Sequence, residues 1–166
     1  HNSFGKSEMW FIIETEKNAN LSLGFNKKID KNIFNENLKN KTVDKILNSF
    51  VVEPKDAFYV PAGTIHSLNG KMLLLEVQQS SDITYRIYDY ERLDPKTGKK
   101  RELHIKSAIS SINFSKKKYE KINYDVNENK LNPIIENNFF KIYFLKTKGE
   151  EIQKIFMNSS FWILVC

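Results

Sequence analysis

Five side chains between residues 6 and 86 have types and spacings suited to chemistry: Lys6, Glu8, His66, Glu76 and Arg86. His66 follows Pro61-Ala62-Gly63-Thr64-Ile65, a run in which Pro61 and Gly63 break a strand and force a tight turn. A His at the mouth of a β-hairpin has its imidazole aimed by a rigid turn, and metal sites need ligands held that firmly. A turn histidine bonded to backbone is the plainer alternative. Glu76 interrupts the apolar run Met72 to Val77. An acid in a buried strand needs a partner or a task, so Glu76 is read as a general base, as a group orienting a ligand, or as an ion-pair partner of Arg86. Arg86 alternates with Thr84 and Tyr88 on one strand face. A guanidinium pointing into a β-barrel suits a phosphate or a developing oxyanion, and a plain ion pair with Asp82 or Asp89 is the alternative. Lys6 is suited to phosphate binding or proton transfer, or is a solvated strand-edge lysine. His104 reads as structural, and terminal His1 is given no role.

The elements that must position these groups are mostly strands. Trp10 to Thr15 is one, with Glu8 just ahead of it. Leu21, Leu23 and Phe25 alternate with small or polar residues, which marks a half-buried strand. Asp30 to Phe50 shifts to near-helical spacing, interrupted at Asn40-Lys41-Thr42, and predicts two short helices capped by Asp30 and Thr42. Strands follow at Ala57 to Val60, Met72 to Val77 and Ile83 to Tyr88. Asp94-Pro95 and Thr97-Gly98 mark a loop, and Ile105 to Ile112 reads as a strand end or a short helix. A lysine- and asparagine-rich connector runs to Asn132. Phe139 to Thr147, Ile152 to Phe156 and Phe161 to Val165 read as further strands. Many short strands with one helical insert predict an all-β sandwich or barrel.

The chain has 166 residues, 40% of them hydrophobic and 28% charged, which suits a globular protein of one domain plus part of a second. The expected division is a metal-binding domain over 1–112, with its helical insert at about 30–50, then a connector and the start of a second β domain over 113–166. No apolar run approaches the ~20 residues that span a bilayer, so no membrane partner is expected. The single cysteine, Cys166, has no internal partner, which is consistent with a reducing cytoplasm. A net charge of +6 favours nucleic acid or a phosphorylated small molecule. The basic clusters Lys96 to Arg101 and Lys116 to Lys118 lack interleaved aromatics, which argues against nucleic acid and for a solvated face. The chain opens just before a strand and closes on the uncapped apolar run Phe161 to Cys166, a pattern expected of part of a longer protein.

The stretch around His66 resembles the second cupin motif, Gly-x5-Pro-x-Gly-x2-His-x3-Asn. Pro61, Gly63 and His66 fit, Lys55 replaces the first Gly, and Asn69 comes one residue early. A narrower match is fuller. Gly5-Lys6-Ser7-Glu8-Met9-Trp10, Pro61-Ala62-Gly63-Thr64-Ile65-His66, Glu76, the run Gln78 to Asp89, and Arg101-Glu102-Leu103-His104-Ile105 together resemble the bacterial type I mannose-6-phosphate isomerases. The match is good over about residues 1–112 and weak beyond. The resemblance implies a cupin jelly roll, a double-stranded β-helix with a short helical insert. It implies an aldose–ketose isomerase that moves a proton between C1 and C2 of a sugar phosphate with the help of one zinc ion. It also implies Glu8 and His66 as zinc ligands, and Arg86, Glu76 and Lys6 as catalytic or substrate-binding groups. Two further ligands, in a Gln-x-His-Pro motif, are absent from these residues, so a chain limited to them is expected to hold zinc weakly and to be inactive. A non-catalytic cupin module binding a sugar or sugar phosphate is the rival reading. Cupin oxygenases and epimerases fit less well, because no His-x-His pair occurs. The proton-transferring base and the oligomeric state stay open at this level.

Overall fold

The computed structural model describes residues 5–90, 92–115 and 117–149. The chain divides into two compact units, His1–Asn123 and Tyr124–Cys166. In the first, β1 (Glu8–Thr15) and β2 (Asn20–Phe25) lead into a helical insert, α1 (Lys31–Lys39) followed by a 3₁₀ turn (Val43–Ile46). Then come β3 (Leu47–Val51), β4 (Ala57–Val60), β5 (His66–Asn69), β6 (Met72–Gln78) and α2 (Ile105–Ser111). The second unit contains the hairpin β7 (Leu131–Glu136) and β8 (Lys141–Leu145).

Two three-stranded antiparallel sheets, in the orders β4-β1-β6 and β3-β2-β5, form the first unit. β1 and β2 are the central strands. Trp10 and Ile12 of β1 lie opposite Phe58 and Leu74 across their ladders. They close on Leu21 and Leu23 of β2 in one buried cluster that also holds Val52 and Val60. Removing that apolar area from water is the main force pressing the two layers together. The architecture is the all-β cupin fold. A second cluster packs Phe34 of α1, Val43 and Ile46 against Phe25, with Phe114 stacked on Phe25 at 5.8 Å.

Several local expectations are corrected. Asp30 does cap α1, accepting the Ile33 N–H at 2.8 Å, but Thr42 makes no side-chain cap. Its hydroxyl bonds Asn37 Oδ1 instead, and only a single 3₁₀ turn follows. Leu47 to Val51 is a strand, because its residues pair with β2 and that pairing overrides local spacing. The turn before His66 is not a hairpin. β4 pairs with β1 and β5 with β2, so Pro61 to Ile65 is a corner carrying the chain from one sheet to the other. Ile83 to Tyr88 forms no ladder and runs as irregular chain. Residues 105–111 are a helix. The expected strands Ile152 to Phe156 and Phe161 to Val165 lie outside the described residues.

The second unit is tied by a buried asparagine. Asn132, 2% exposed, accepts from Asn127 N–H and donates to the carbonyls of Asn127, Lys130 and Phe144.

Gly24 in the first unit is fixed by geometry. Gly24 has φ +66°, and a Cβ there would lie 2.1 Å from the Tyr119 ring. Gly98 has the same φ with nothing within 4 Å. Gly24→Ala should therefore cost more than the ~1–3 kcal/mol of backbone strain that Gly98→Ala alone incurs. Urea unfolding of the two variants measures the difference. Equal losses would show that Tyr119 does not confine Gly24.

Candidate active site

The inner faces of the two sheets end in an open cleft of about 1250 Å³. Lys6, Glu8, His66, Glu76 and Arg86 all line it. The ladders explain why. Glu8 lies two residues before Trp10 on β1, so both point inward. Glu76 faces Trp10 across the β1–β6 ladder and shares that side. His66 faces Leu23 across the β2–β5 ladder, so it points inward from the opposite sheet. Glu8, Glu76 and His66 thus share the inward side of their strands with apolar residues.

Glu8 is 3% exposed, and both of its carboxylate oxygens have partners. Lys6 Nζ donates to Oε1 at 2.7 Å and the Trp10 indole N–H donates to Oε2 at 2.9 Å. A buried carboxylate without such donors would be costly. Lys6 also reaches Glu76 Oε1 at 3.0 Å. Its ammonium therefore sits between two carboxylates. Burial works against that charge, but the hydrogen bonds to Glu8 and Glu76 outweigh it and raise the Lys6 pKa above its ordinary 10.5. The partner of Glu76 is thus Lys6 rather than Arg86. Lys6 is not a freely solvated strand-edge lysine, and Glu76 stands at the cleft mouth with its side chain 36% exposed.

His66 is held by its own corner. Its Nδ1 lies 2.8 Å from the Thr64 carbonyl. A carbonyl can only accept, so Nδ1 is the donor, and in the neutral ring Nε2 is the nitrogen with the lone pair. The imidazole also meets the Trp10 ring edge-on, with centroids 5.1 Å apart. The corner is closed by Thr64 N–H donating to the Pro61 carbonyl at 3.1 Å. Gly63 takes φ +78° with Ser111 O 2.7 Å from where a Cβ would sit. Ser7 Oγ accepts from Ala62 N–H, and Tyr119 OH and Thr64 Oγ1 are 3.2 Å apart. Trp10, Thr64 and Tyr119 were not singled out from the sequence. The Glu8-x-Trp10 spacing on a strand was the available signal for Trp10.

Arg86 lies on the irregular segment beside the cleft. Its backbone N–H reaches His104 Nδ1 at 3.3 Å, and its carbonyl accepts from His104 N–H at 2.7 Å. Asp89, a proposed ion-pair partner of Arg86, is taken by other residues. Arg101 grips it through Nε at 2.6 Å and through Nη2, and Arg92 Nη2 lies at 3.2 Å. The hydrogen bond from Arg101 is the main reason that the Asp89 pKa is lowered from its usual 3.8, against the opposing effect of burial. His104 thus holds the Arg86 backbone through two hydrogen bonds.

The donor chemistry of Glu8 Oε1 and His66 Nε2 suits zinc. Among the described residues, no group of three or more His, Cys, Asp or Glu side chains gathers to hold a metal ion.

An all-β sandwich with an open cleft lined by Glu8 and His66 is the cupin arrangement. No protein-family model matches the chain. It is 44% identical over 108 residues to the mannose-6-phosphate isomerase ManA of Bacillus subtilis (strain 168), covering 65% of this chain and 34% of that protein. The probable mannose-6-phosphate isomerase GmuF of the same organism is 34% identical over 149 residues, covering 87% and 46%. The mannose-6-phosphate isomerase of Streptococcus mutans is 38% identical over 112 residues, covering 68% and 35%. Among solved structures, the mannose 6-phosphate isomerase from Bacillus subtilis superposes with a TM-score of 0.74 at 32% identity, over 84% of this chain and 45% of that one. A putative mannosephosphate isomerase from Archaeoglobus fulgidus shares the fold, with a TM-score of 0.54 at 18% identity, over 77% and 39%. The chain is type I mannose-6-phosphate-isomerase-like in sequence and fold. It spans a third to just under half of the length of these curated relatives.

The Asp89 pair gives the first unit a defined acid response. A carboxylate whose native pKa is depressed stabilises the fold fully above its unfolded pKa of about 3.9, and that contribution is lost as pH falls through the native value. Asp89→Asn should flatten the fall in stability below about pH 4. Urea unfolding between about pH 5 and 2 measures it. A variant with the wild-type slope would remove Asp89 as a source of acid sensitivity.

Proposed function

We propose that the cleft is the sugar-phosphate site of an aldose–ketose isomerase interconverting mannose 6-phosphate and fructose 6-phosphate. The observation that carries this reading is the convergence of Lys6, Glu8, Glu76, His66 and Arg86 on one cleft. The names of the relatives support the substrate. Glu8 Oε1 and His66 Nε2 would hold zinc together with donors from outside these residues, and the ion would supply Lewis-acid polarisation of substrate oxygens. Glu76, at the cleft mouth, is the candidate base, taking the C2 proton of the aldose and returning it to C1. Lys6, hydrogen-bonded to Glu76, aims that carboxylate. Arg86 supplies a planar, permanently charged group for the phosphate or for the oxyanion of the enediolate. Trp10 gives the cleft an apolar wall.

In the full-length protein, Arg86→Lys keeps the charge and loses the two-point fork. We expect kcat/KM for mannose 6-phosphate to fall roughly 100-fold with an unchanged melting temperature. Near-wild-type kinetics in a coupled fructose 6-phosphate assay would remove Arg86 from the site. A second measurement is metal content. Residues 1–166 alone, with two donors, should hold less than stoichiometric zinc and show no isomerase activity, while the full-length protein shows both. Full activity in residues 1–166 would mean that Glu8 and His66 are not the ligands.

A further inference from the structure

The irregular stretch after β6 places Ile83, Tyr85, Arg86 and Tyr88 along the cleft without a ladder to hold them. Unladdered chain drifts unless something else fixes it. Two cross-links do so, and they are spaced alike on both sides. Arg86 is bonded to His104 through both backbone groups, while Asp89 is gripped by Arg101. Residues 86 and 89 thus meet 104 and 101 in antiparallel order. Asp89 is 6% exposed, and the Arg101 fork reaches both of its oxygens, so the pair fixes a plane as well as a distance.

The splint is anchored to the corner that carries His66. His104 directly precedes α2. Past α2, Asn113 N–H donates to the Gly63 carbonyl at 2.9 Å, within the corner itself. Arg86 and His66 are therefore referenced to one frame through residues 101–113.

We propose that Arg101, acting through Asp89, is a positioning residue that sets where Arg86 presents its guanidinium. This rests on the reading of Arg86 as a substrate-binding group. Arg101 need not touch substrate. Its fork is spent on Asp89, and its loss lets the 86–89 segment move relative to 101–104.

The test is a set of variants of the full-length protein assayed for kcat and KM with mannose 6-phosphate and for urea midpoint. Arg101→Gln should lower kcat/KM roughly 10- to 100-fold, divided between kcat and KM as in Arg86→Lys. The double variant R86K/R101Q should be no slower than R86K, because a residue acting through another adds nothing once that one is disabled. Arg101→Gln also leaves a buried carboxylate short of a partner, so its midpoint should drop. The pair D89N/R101Q removes that charge and should recover the midpoint without recovering kcat/KM. Wild-type kinetics in R101Q would overturn the proposal. So would losses that multiply in R86K/R101Q, or kinetics restored together with stability in D89N/R101Q. Wild-type kinetics in R86K would instead sink the reading of Arg86 on which the proposal stands.

Discussion

A buried carboxylate at the start of a central strand is the constraint on which the cleft depends. Glu8 is nearly inaccessible, and its two oxygens are shared between an ammonium and an indole N–H. Those donors belong to Lys6 and Trp10, each two residues away along an extended chain, so all three project to one side. The inner face of β1 thus reads ammonium, carboxylate, indole, isoleucine, from the open rim to the dry core. Trp10 is the hinge between the two regimes. Its ring is packed in the apolar cluster, its N–H holds Glu8, and its face or edge meets His66 from the other sheet. A polar site at the end of a hydrophobic sandwich needs such a residue, apolar in body and polar at one atom.

The candidate groups were legible because each sat in a short motif with its own mechanical reason. Pro61 and Gly63 announced the corner, and Glu76 stood out against leucines. What the sequence could not show was which strands pair. A turn between two strand-like runs looks the same whether it closes a hairpin or carries the chain between layers. Only the pairing of β4 with β1 and of β5 with β2 decides this. The helical reading of Leu47 to Val51 failed for a related reason, since the pull of β2 comes from more than twenty residues away in sequence. Arg86 was singled out for its type and place, but the strand expected to carry it does not form. The expected strand is an irregular segment whose fixed points are the side chain of Asp89 and the backbone of Arg86.

The interactions of Glu76 and Asp89 also show how local charge counting misleads. Arg86 was a plausible partner for either acid from sequence distance alone. Lys6, 70 residues from Glu76, and Arg101, 12 residues from Asp89, take those places instead. β1 and β6 run antiparallel with Trp10 opposite Glu76, and the long Lys6 side chain reaches along that inner face to the Glu76 carboxylate.

The sheet order has a consequence for a chain still being made. β1 is central, but β4 reaches it only after residue 57 and β6 only after residue 72. Until both have emerged, β1 presents at least one bare row of backbone donors and acceptors, flanked by Met9, Trp10 and Ile12. Such an edge is a template for pairing with other chains. The interval between the synthesis of β1 and that of β6 is therefore when this unit is most exposed to misassembly, and the helical insert, which can form from local contacts, fills part of that wait.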